Sequence, residues 1–187
     1  MSDTLSTQSP QSQTEALLAR FDAARDAFLA AFAQAPDAAL PYTPAGDEYA
    51  LGVLPLHLQD SMNHYLDVYA RMAGASYGPV DMTSDPDHAA QEAEQHQRLT
   101  VTKPSSADRA GLLSDLAATH QRVRDRFATL DDATVARQAD VIYSAGSDPY
   151  PTSVADILGW LTDHYDEHTE QTGQLLARWQ SEGETRP

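Results

Sequence analysis

The chain has 187 residues, which is enough for one domain with a substantial hydrophobic core. Its 28 acidic residues outnumber its 12 basic ones, and the resulting net charge of −16 disfavours binding to nucleic acid or to an anionic membrane surface. There is no cysteine, so disulfides, thiolate ligands and a cysteine nucleophile are excluded. Any metal site must therefore use His, Asp, Glu or water.

The first 12 residues are mostly Ser, Thr and Gln, and this composition predicts a flexible tail. They lack the basic start and apolar segment of a signal peptide, and no apolar run approaches the roughly 20 residues of a membrane span. We therefore expect a cytoplasmic protein with one folded domain over residues 13–181 and a C-terminal tail over 182–187.

Apolar residues at helical spacing predict two helices in the first half of the chain. The first is expected over about Thr14–Gln34, with Thr14 available to cap its start. The second is expected over roughly Tyr49–Ala73, and Pro55 inside it either marks the true start or kinks the helix. A start near Leu54 would place the proline that follows it in the first turn, where proline is tolerated.

The second half of the chain predicts two more helices. Ser105 and the polar residues after it open the third helix, which is expected to run to about Leu130. Ser153 caps the fourth, with Asp156 three residues on as its capping-box partner. An acidic connection at 75–104 is expected to hold a short helix, and residues 131–151 should be irregular apart from a short extended piece. Four long amphipathic helices with long connections predict an all-α four-helix bundle.

The segment HYDEH places His164 and His168 four residues apart in the fourth helix. Residues at this spacing lie on one face, one turn apart, and these two continue the apolar stripe of Ile157 and Trp160. Two imidazoles so placed can bind one cation at about 2.0–2.1 Å. Alone, the pattern is as consistent with two core histidines as with a site.

The second helix offers a third imidazole, His57, in the stretch LPLHLQDSMNHY. His64 lies seven residues further on and shares its face. Three neutral imidazoles would leave a divalent metal with an open coordination position, which distinguishes a catalytic site from a structural one. The alternative for His57 is a surface or core histidine, and His120 in the third helix is predicted to be a core or supporting residue.

Three acidic residues are candidates to orient the second ring nitrogens of these histidines, namely Asp60, Asp163 and Glu167. Two rival metal sites fit less well. A di-iron bundle needs Glu-x-x-His, and no glutamate has a histidine three residues later. The inverted zincin pattern H-x-x-E-H matches HYDEH, but such peptidases need a distant acidic ligand and only 19 residues follow His168.

The histidine in LPLHLQDSMNHY, together with H-x3-H in ILGWLTDHYDEHTEQTGQLL, resembles the pattern of the DinB-like family of damage-inducible helical bundles. The resemblance covers about residues 14–180. Gln171 matches the His-x-x-Gln ending of many members, although Thr172 replaces the apolar residue that usually follows. The chain also departs from the family in having His64 and the acidic insertion at 75–104.

This resemblance implies an up-down-down-up bundle with His57, His164 and His168 as ligands of zinc or nickel. It also implies a metal-dependent transferase or isomerase that uses a low-molecular-weight thiol such as bacillithiol or mycothiol, and a homodimer. A non-catalytic bundle that binds a metal or small molecule is the alternative. A solvent-accessible cleft with apolar walls at the metal would favour the enzyme, and a sealed face at His57 would favour the alternative.

Overall fold

The structure is a computed structural model that describes residues 12–44, 46, 49–85 and 87–184. The tail predicted over residues 1–12 therefore lies outside the described residues except for Ser12. Of the tail predicted over 182–187, the last helix includes residues up to Glu184, and 185–187 lie outside the described residues.

The described chain contains the four predicted long helices, two shorter ones and three short strands. The helices are α1 (Gln13–Phe32), α2 (Leu54–Gly74), α3 (His88–Val101), α4 (Ser106–Phe127), α5 (Asp132–Val135) and α6 (Val154–Glu184). The strands are β1 (Val80–Asp81), β2 (Ala139–Ile142) and β3 (Tyr150–Thr152). The prediction of an all-α bundle is confirmed, with α1, α2, α4 and α6 as its long helices.

Contacts between the long helices give their relative directions. Early residues of α2 meet early residues of α4, so these two run parallel. Going forward along α2, the contacts with α6 move back from His164 to Trp160, and going forward along α1, the contacts with α4 move back from Arg124 to Arg109, so both of these pairs are antiparallel. The contacts are Gln59–Leu112 and Tyr69–Phe127 for α2 with α4, Ser61–His164 and Tyr65–Trp160 for α2 with α6, and Asp22–Arg124 and Phe32–Arg109 for α1 with α4. The helices therefore follow the up-down-down-up order.

The core lies between the four long helices and is rich in aromatic side chains. Phe21, Phe28 and Phe32 recur along the inner face of α1 and are fully buried. Phe21 and Phe28 pack against Tyr165 of α6, with ring centroids 5.6 and 6.0 Å away. This packing holds α6, the helix that carries two of the candidate ligands, against α1.

A small sheet joins the two long connections. Strand β1 pairs with β2 in parallel, with Val80 opposite Val141, and β2 pairs with β3 antiparallel, with Ala139 opposite Thr152. The extended piece expected within 131–151 is β2. Its pairing with β1 was not predicted, because strands of two to four residues are too short to show a period.

Three of the four long helices start where the sequence predicts, and two of these starts also have the predicted caps. Helix α2 begins at Leu54 with its proline in the first turn, and the pairs Ser105–Asp108 and Ser153–Asp156 form the capping boxes of α4 and α6. Helix α1 differs: its cap is Ser12.

In α1, the predicted cap Thr14 instead donates its hydroxyl and backbone N–H to the carboxylate of Asp132.

Across the described residues, no helix is both long enough and apolar enough to cross a membrane.

We expect Ser153→Ala to lower the free energy of unfolding by about 1 kcal/mol, because the Ser153 hydroxyl accepts the Asp156 N–H and donates to its carboxylate at the start of α6. Urea denaturation measures the change. The matched control is Ser114→Ala on the exposed face of α4, which should stay within about 0.5 kcal/mol of the native chain. Equal effects of the two substitutions would contradict the capping role.

Candidate metal centre

Three histidine side chains from two helices meet in the groove between α2 and α6. His57 lies in the first turn of α2, and His164 and His168 lie one turn apart in the middle of α6. Because the two helices are antiparallel, the start of α2 faces this part of α6. One ring nitrogen from each residue lies within 4.8 Å of the others, and we call this group the histidine trio.

The spacing within the trio suits a tetrahedral cation. The Nε2 atoms of His164 and His168 are 3.3 Å apart. Two nitrogens bound at 2.0–2.1 Å with a tetrahedral angle are separated by about 3.3 Å. The ring centroid of His57 lies 4.9 Å from each of the other two centroids, so the third imidazole borders the same space.

Gln171 orients the His168 ring. Its Oε1 lies 2.6 Å from Nδ1 of His168, so the proton of this imidazole sits on Nδ1 and is donated to the amide oxygen. The lone pair of Nε2 then points toward the other two histidines. Gln171 lies three residues after His168 on α6, which is the helical spacing that brings side chains together.

Two polar side chains outside the trio lie next to His164. The hydroxyl of Ser61 is 3.1 Å from Nε2, and a carboxylate oxygen of Glu167 is 3.8 Å from Nδ1. Ser61 also donates to the backbone carbonyl of His57. Ser61 therefore links both helices at the point where the imidazoles meet.

His57 supplies the clearest sign that a ligand belongs here. Its Nδ1 is buried and has no hydrogen-bond partner. A buried polar atom without a partner costs about 1–3 kcal/mol, and a bound ion is one explanation for such an atom. Tyr49 packs on the other side of the ring, with centroids 5.0 Å apart.

Burial keeps the imidazoles neutral, which is the form that binds metal. It lowers the pKa of His57 to about 4 and that of His164 to about 3, and neighbouring histidines add to both shifts. The pKa of His168 is also lowered by burial, although its hydrogen bond to Gln171 opposes the shift. All three are therefore available as neutral ligands at neutral pH.

A cleft of about 560 Å³ opens onto the trio. Its remaining lining is mainly polar and comes mostly from the outer face of α6, with Glu167, Glu170, Gln171 and Gln174. His164 retains 24% of its side-chain exposure, so solvent and small molecules can reach the imidazoles. The cleft at His57 is thus open to solvent, as the enzyme hypothesis requires. The walls of the cleft are polar, whereas that hypothesis expected apolar walls.

Two of the three acidic residues suggested as partners for the rings lie elsewhere. Asp60 binds Arg98 of α3 through both carboxylate oxygens, and Asp163 is exposed on α6. Only Glu167 lies near a ring of the trio. The missed neighbours are Ser61 and Gln171, and for Gln171 the i, i+3 spacing from His168 was the available signal.

The other histidines of the bundle helices lie apart from the trio. His64 packs against Tyr65 and Tyr143, at centroid distances of 5.2 and 6.3 Å. His120 is fully buried, as expected for a core or supporting residue. Its Nε2 is 2.9 Å from a carboxylate oxygen of Asp22, and its Nδ1 is 3.3 Å from the hydroxyl of Tyr165.

Comparison with known proteins agrees with the helical fold. The DinB superfamily model matches residues 20–172, most of the bundle. The chain belongs to the DinB superfamily. The crystal structure of a conserved protein from Enterococcus faecalis superimposes with a TM-score of 0.54 over 89% of this chain and 98% of that one, at 16% identity, which shows a shared fold. No curated protein matches the chain at a significant level.

This DinB protein should lose stability in acid partly through the trio. Each imidazole titrates below 6.5 when folded, so below pH 6.5 the unfolded chain binds protons that the folded chain does not. The contribution of the neutral imidazoles to the free energy of unfolding is complete above pH 6.5. It is lost as the pH falls toward about 4, the pKa of His57, and then about 3, the pKa of His164. Urea unfolding of metal-free protein at a series of pH values measures it.

The control for this pH series is the double variant His57→Gln, His164→Gln, in which the carboxylates are unchanged. Its unfolding free energy should fall less steeply than that of the native chain between pH 6.5 and about 4. Identical slopes would show that the two imidazoles are not buried as neutral groups.

Proposed function

We propose that this protein is a metal-dependent enzyme. It would either transfer a low-molecular-weight thiol to a substrate or use the thiol to isomerise one. The observation that carries the proposal is the histidine trio at an open cleft, with one buried ring nitrogen that has no protein partner. Structural metal sites are closed by protein ligands, whereas catalytic ones keep a position for substrate. Three imidazoles at an accessible cleft match the second kind.

His57, His164 and His168 would hold a divalent ion, with zinc or nickel expected from imidazole ligands and from the family resemblance. The chemistry supplied by such an ion is a lowered pKa for a coordinating thiol, which gives a thiolate nucleophile at neutral pH. Because the chain has no cysteine, the thiol must come from a substrate. The homodimer and the cytoplasmic location stay predictions.

The residues around the trio have separable roles in this proposal. Gln171 would hold His168 in the tautomer that leaves the lone pair of Nε2 free for the ion. Ser61 lies 3.1 Å from Nε2 of His164, the nitrogen that would bind the ion, so metal binding would replace this contact. Glu167 borders the cleft beside His164 and is placed to accept the proton that a thiol releases. Gln174 and Glu170 lie farther along the same wall, where they would contact the rest of the substrate.

Untagged protein loaded with zinc or nickel should contain one equivalent of metal per chain after dialysis, as measured by elemental analysis. His168→Ala should abolish this binding because it removes a ligand. Gln171→Ala should weaken it by about 10–100-fold, because the ring loses the partner that orients it.

Two variants serve as matched controls for the metal measurement. His96→Ala removes an exposed histidine of α3, and Gln174→Ala removes an exposed cleft residue of α6. Both should bind metal like the native chain. Metal content below about 0.2 equivalents in the native protein under replete conditions would contradict the site, since such sites bind tightly.

Loss of free thiol in the presence of electrophilic acceptors tests the activity itself. We expect metal-loaded protein to consume bacillithiol or mycothiol with at least one acceptor of a panel, and both chelator-treated protein and His168→Ala to lack this activity. His96→Ala should retain it. Tight metal binding without any thiol turnover would instead identify a non-catalytic metal-binding bundle.

A further inference from the structure

A second cavity, of about 510 Å³, lies one helical turn from the histidine trio in the direction of the sheet. Trp160 precedes His164 by four residues on α6, and Tyr65 follows Ser61 by four on α2. The loop between β2 and β3 covers this part of the groove. We call the cavity the aromatic pocket; its lining includes Tyr65, Tyr143, Asp148, Tyr150 and Trp160.

The rings of the aromatic pocket are inclined to one another. The centroids of Tyr65, Tyr143 and Tyr150 lie 5.5, 6.3 and 5.9 Å from that of Trp160, at interplanar angles of 40°, 79° and 52°. Flat stacking would cover the ring faces, whereas inclined rings leave part of their faces and edges for a ligand to contact across this open, shallow pocket. The hydroxyl of Tyr143, 3.0 Å from the side-chain oxygen of Thr152, fixes one of the rings.

Among the aromatic residues of the described chain, Tyr150 is exposed, whereas the others are buried or half-buried. It is 55% exposed and lies on β3, yet its ring is held beside Trp160. An exposed ring next to an indole offers a ligand a second aromatic face at the mouth of the pocket. The exposed ring contributes little to the stability of the fold, since Tyr150 belongs to no part of the core.

The charges around the aromatic pocket favour a cation. Asp148 is in the lining, no Lys or Arg is among the described lining residues, and the whole chain carries −16. Aromatic faces attract cations through their quadrupole. Burial raises the pKa of Tyr143 to about 12, so its phenol remains neutral and keeps its hydrogen bond at physiological pH.

We propose that the aromatic pocket binds an alkylated ammonium group, such as the trimethylammonium head of a small molecule. Such a group combines the apolar surface that four rings can cover with the positive charge that their faces and Asp148 attract. An inorganic cation lacks the apolar surface, and an anionic aromatic compound is repelled by the carboxylate. Binding does not require a metal at the histidine trio.

Choline and its neutral carbon isostere, 3,3-dimethylbutan-1-ol, test this proposal by isothermal titration calorimetry on the full chain. The two probes have the same shape and differ in charge. We expect choline to bind at least about tenfold more tightly, because the isostere keeps the apolar contact and loses the cation–π and carboxylate attractions. Equal affinities, or no saturable binding of choline, would overturn the proposal.

Substitutions of Tyr150 and Asp148, which form the exposed rim of the aromatic pocket, test whether choline binds there. Tyr150→Ala should weaken choline binding by about two- to fivefold, the loss expected for one exposed cation–π contact. Tyr150→Phe retains the ring and should bind choline like the native chain. Asp148→Asn should weaken binding of choline but not of the isostere.

The far-ultraviolet circular dichroism of each rim variant should match that of the native chain, because the two side chains lie outside the core. Choline binding that is unaffected by Tyr150→Ala would locate the cation elsewhere, for instance at the glutamates of the histidine cleft, and would refute the aromatic pocket as its site.

Discussion

The antiparallel register between α2 and α6 is the constraint on which the candidate site depends. His57 faces His164 and His168 only because early α2 lies against the middle of α6. Each residue turns a helix by about 100°, so a slip of one residue would rotate an imidazole out of the groove. The contact between the Tyr165 hydroxyl and the sulfur of Met62, in the buried interior, holds this register from within.

A partly buried polar network keeps α6 at the required rotation. His120 lies between Asp22 of α1 and Tyr165 of α6, and Arg124 pairs with the other oxygen of Asp22. Its ring also stacks on Phe21, with centroids 4.0 Å apart. Tyr165 sits between the two candidate ligands of α6 in sequence and points inward, so a network that fixes Tyr165 also directs its neighbours toward α2. Such networks specify one arrangement because a partly satisfied one is costly.

The parts of the structure that were predictable are those with a local signal. Helical periodicity gave the four long helices, Pro55 marked the start of α2, and Ser153 with Asp156 marked the start of α6. The spacing of His164 and His168 placed two imidazoles on one face. That His57 would meet them depended on the pairing of two distant helices, which the family resemblance supplied and periodicity did not.

What was missed depends on contacts between distant segments or on very short elements. Asp60 was expected to support a histidine, but α3 folds back across α2 and places Arg98 on its carboxylate. Ser61 became a neighbour of His164 only through helix pairing. The parallel pairing of β1 with β2 joins residues about 60 positions apart and leaves no periodic trace in two to four residues.

The groove between α2 and α6 has two regions, and different parts of the chain form them. At the histidine end every candidate ligand comes from a rigid helix, whereas the opposite end is completed by the turn from β2 to β3, where Gly146 adopts a positive φ of 79°. Loops tolerate replacement far better than helix interiors do. A bundle of this design can therefore change the residues that the loop presents at one end while the histidine trio at the other stays in place.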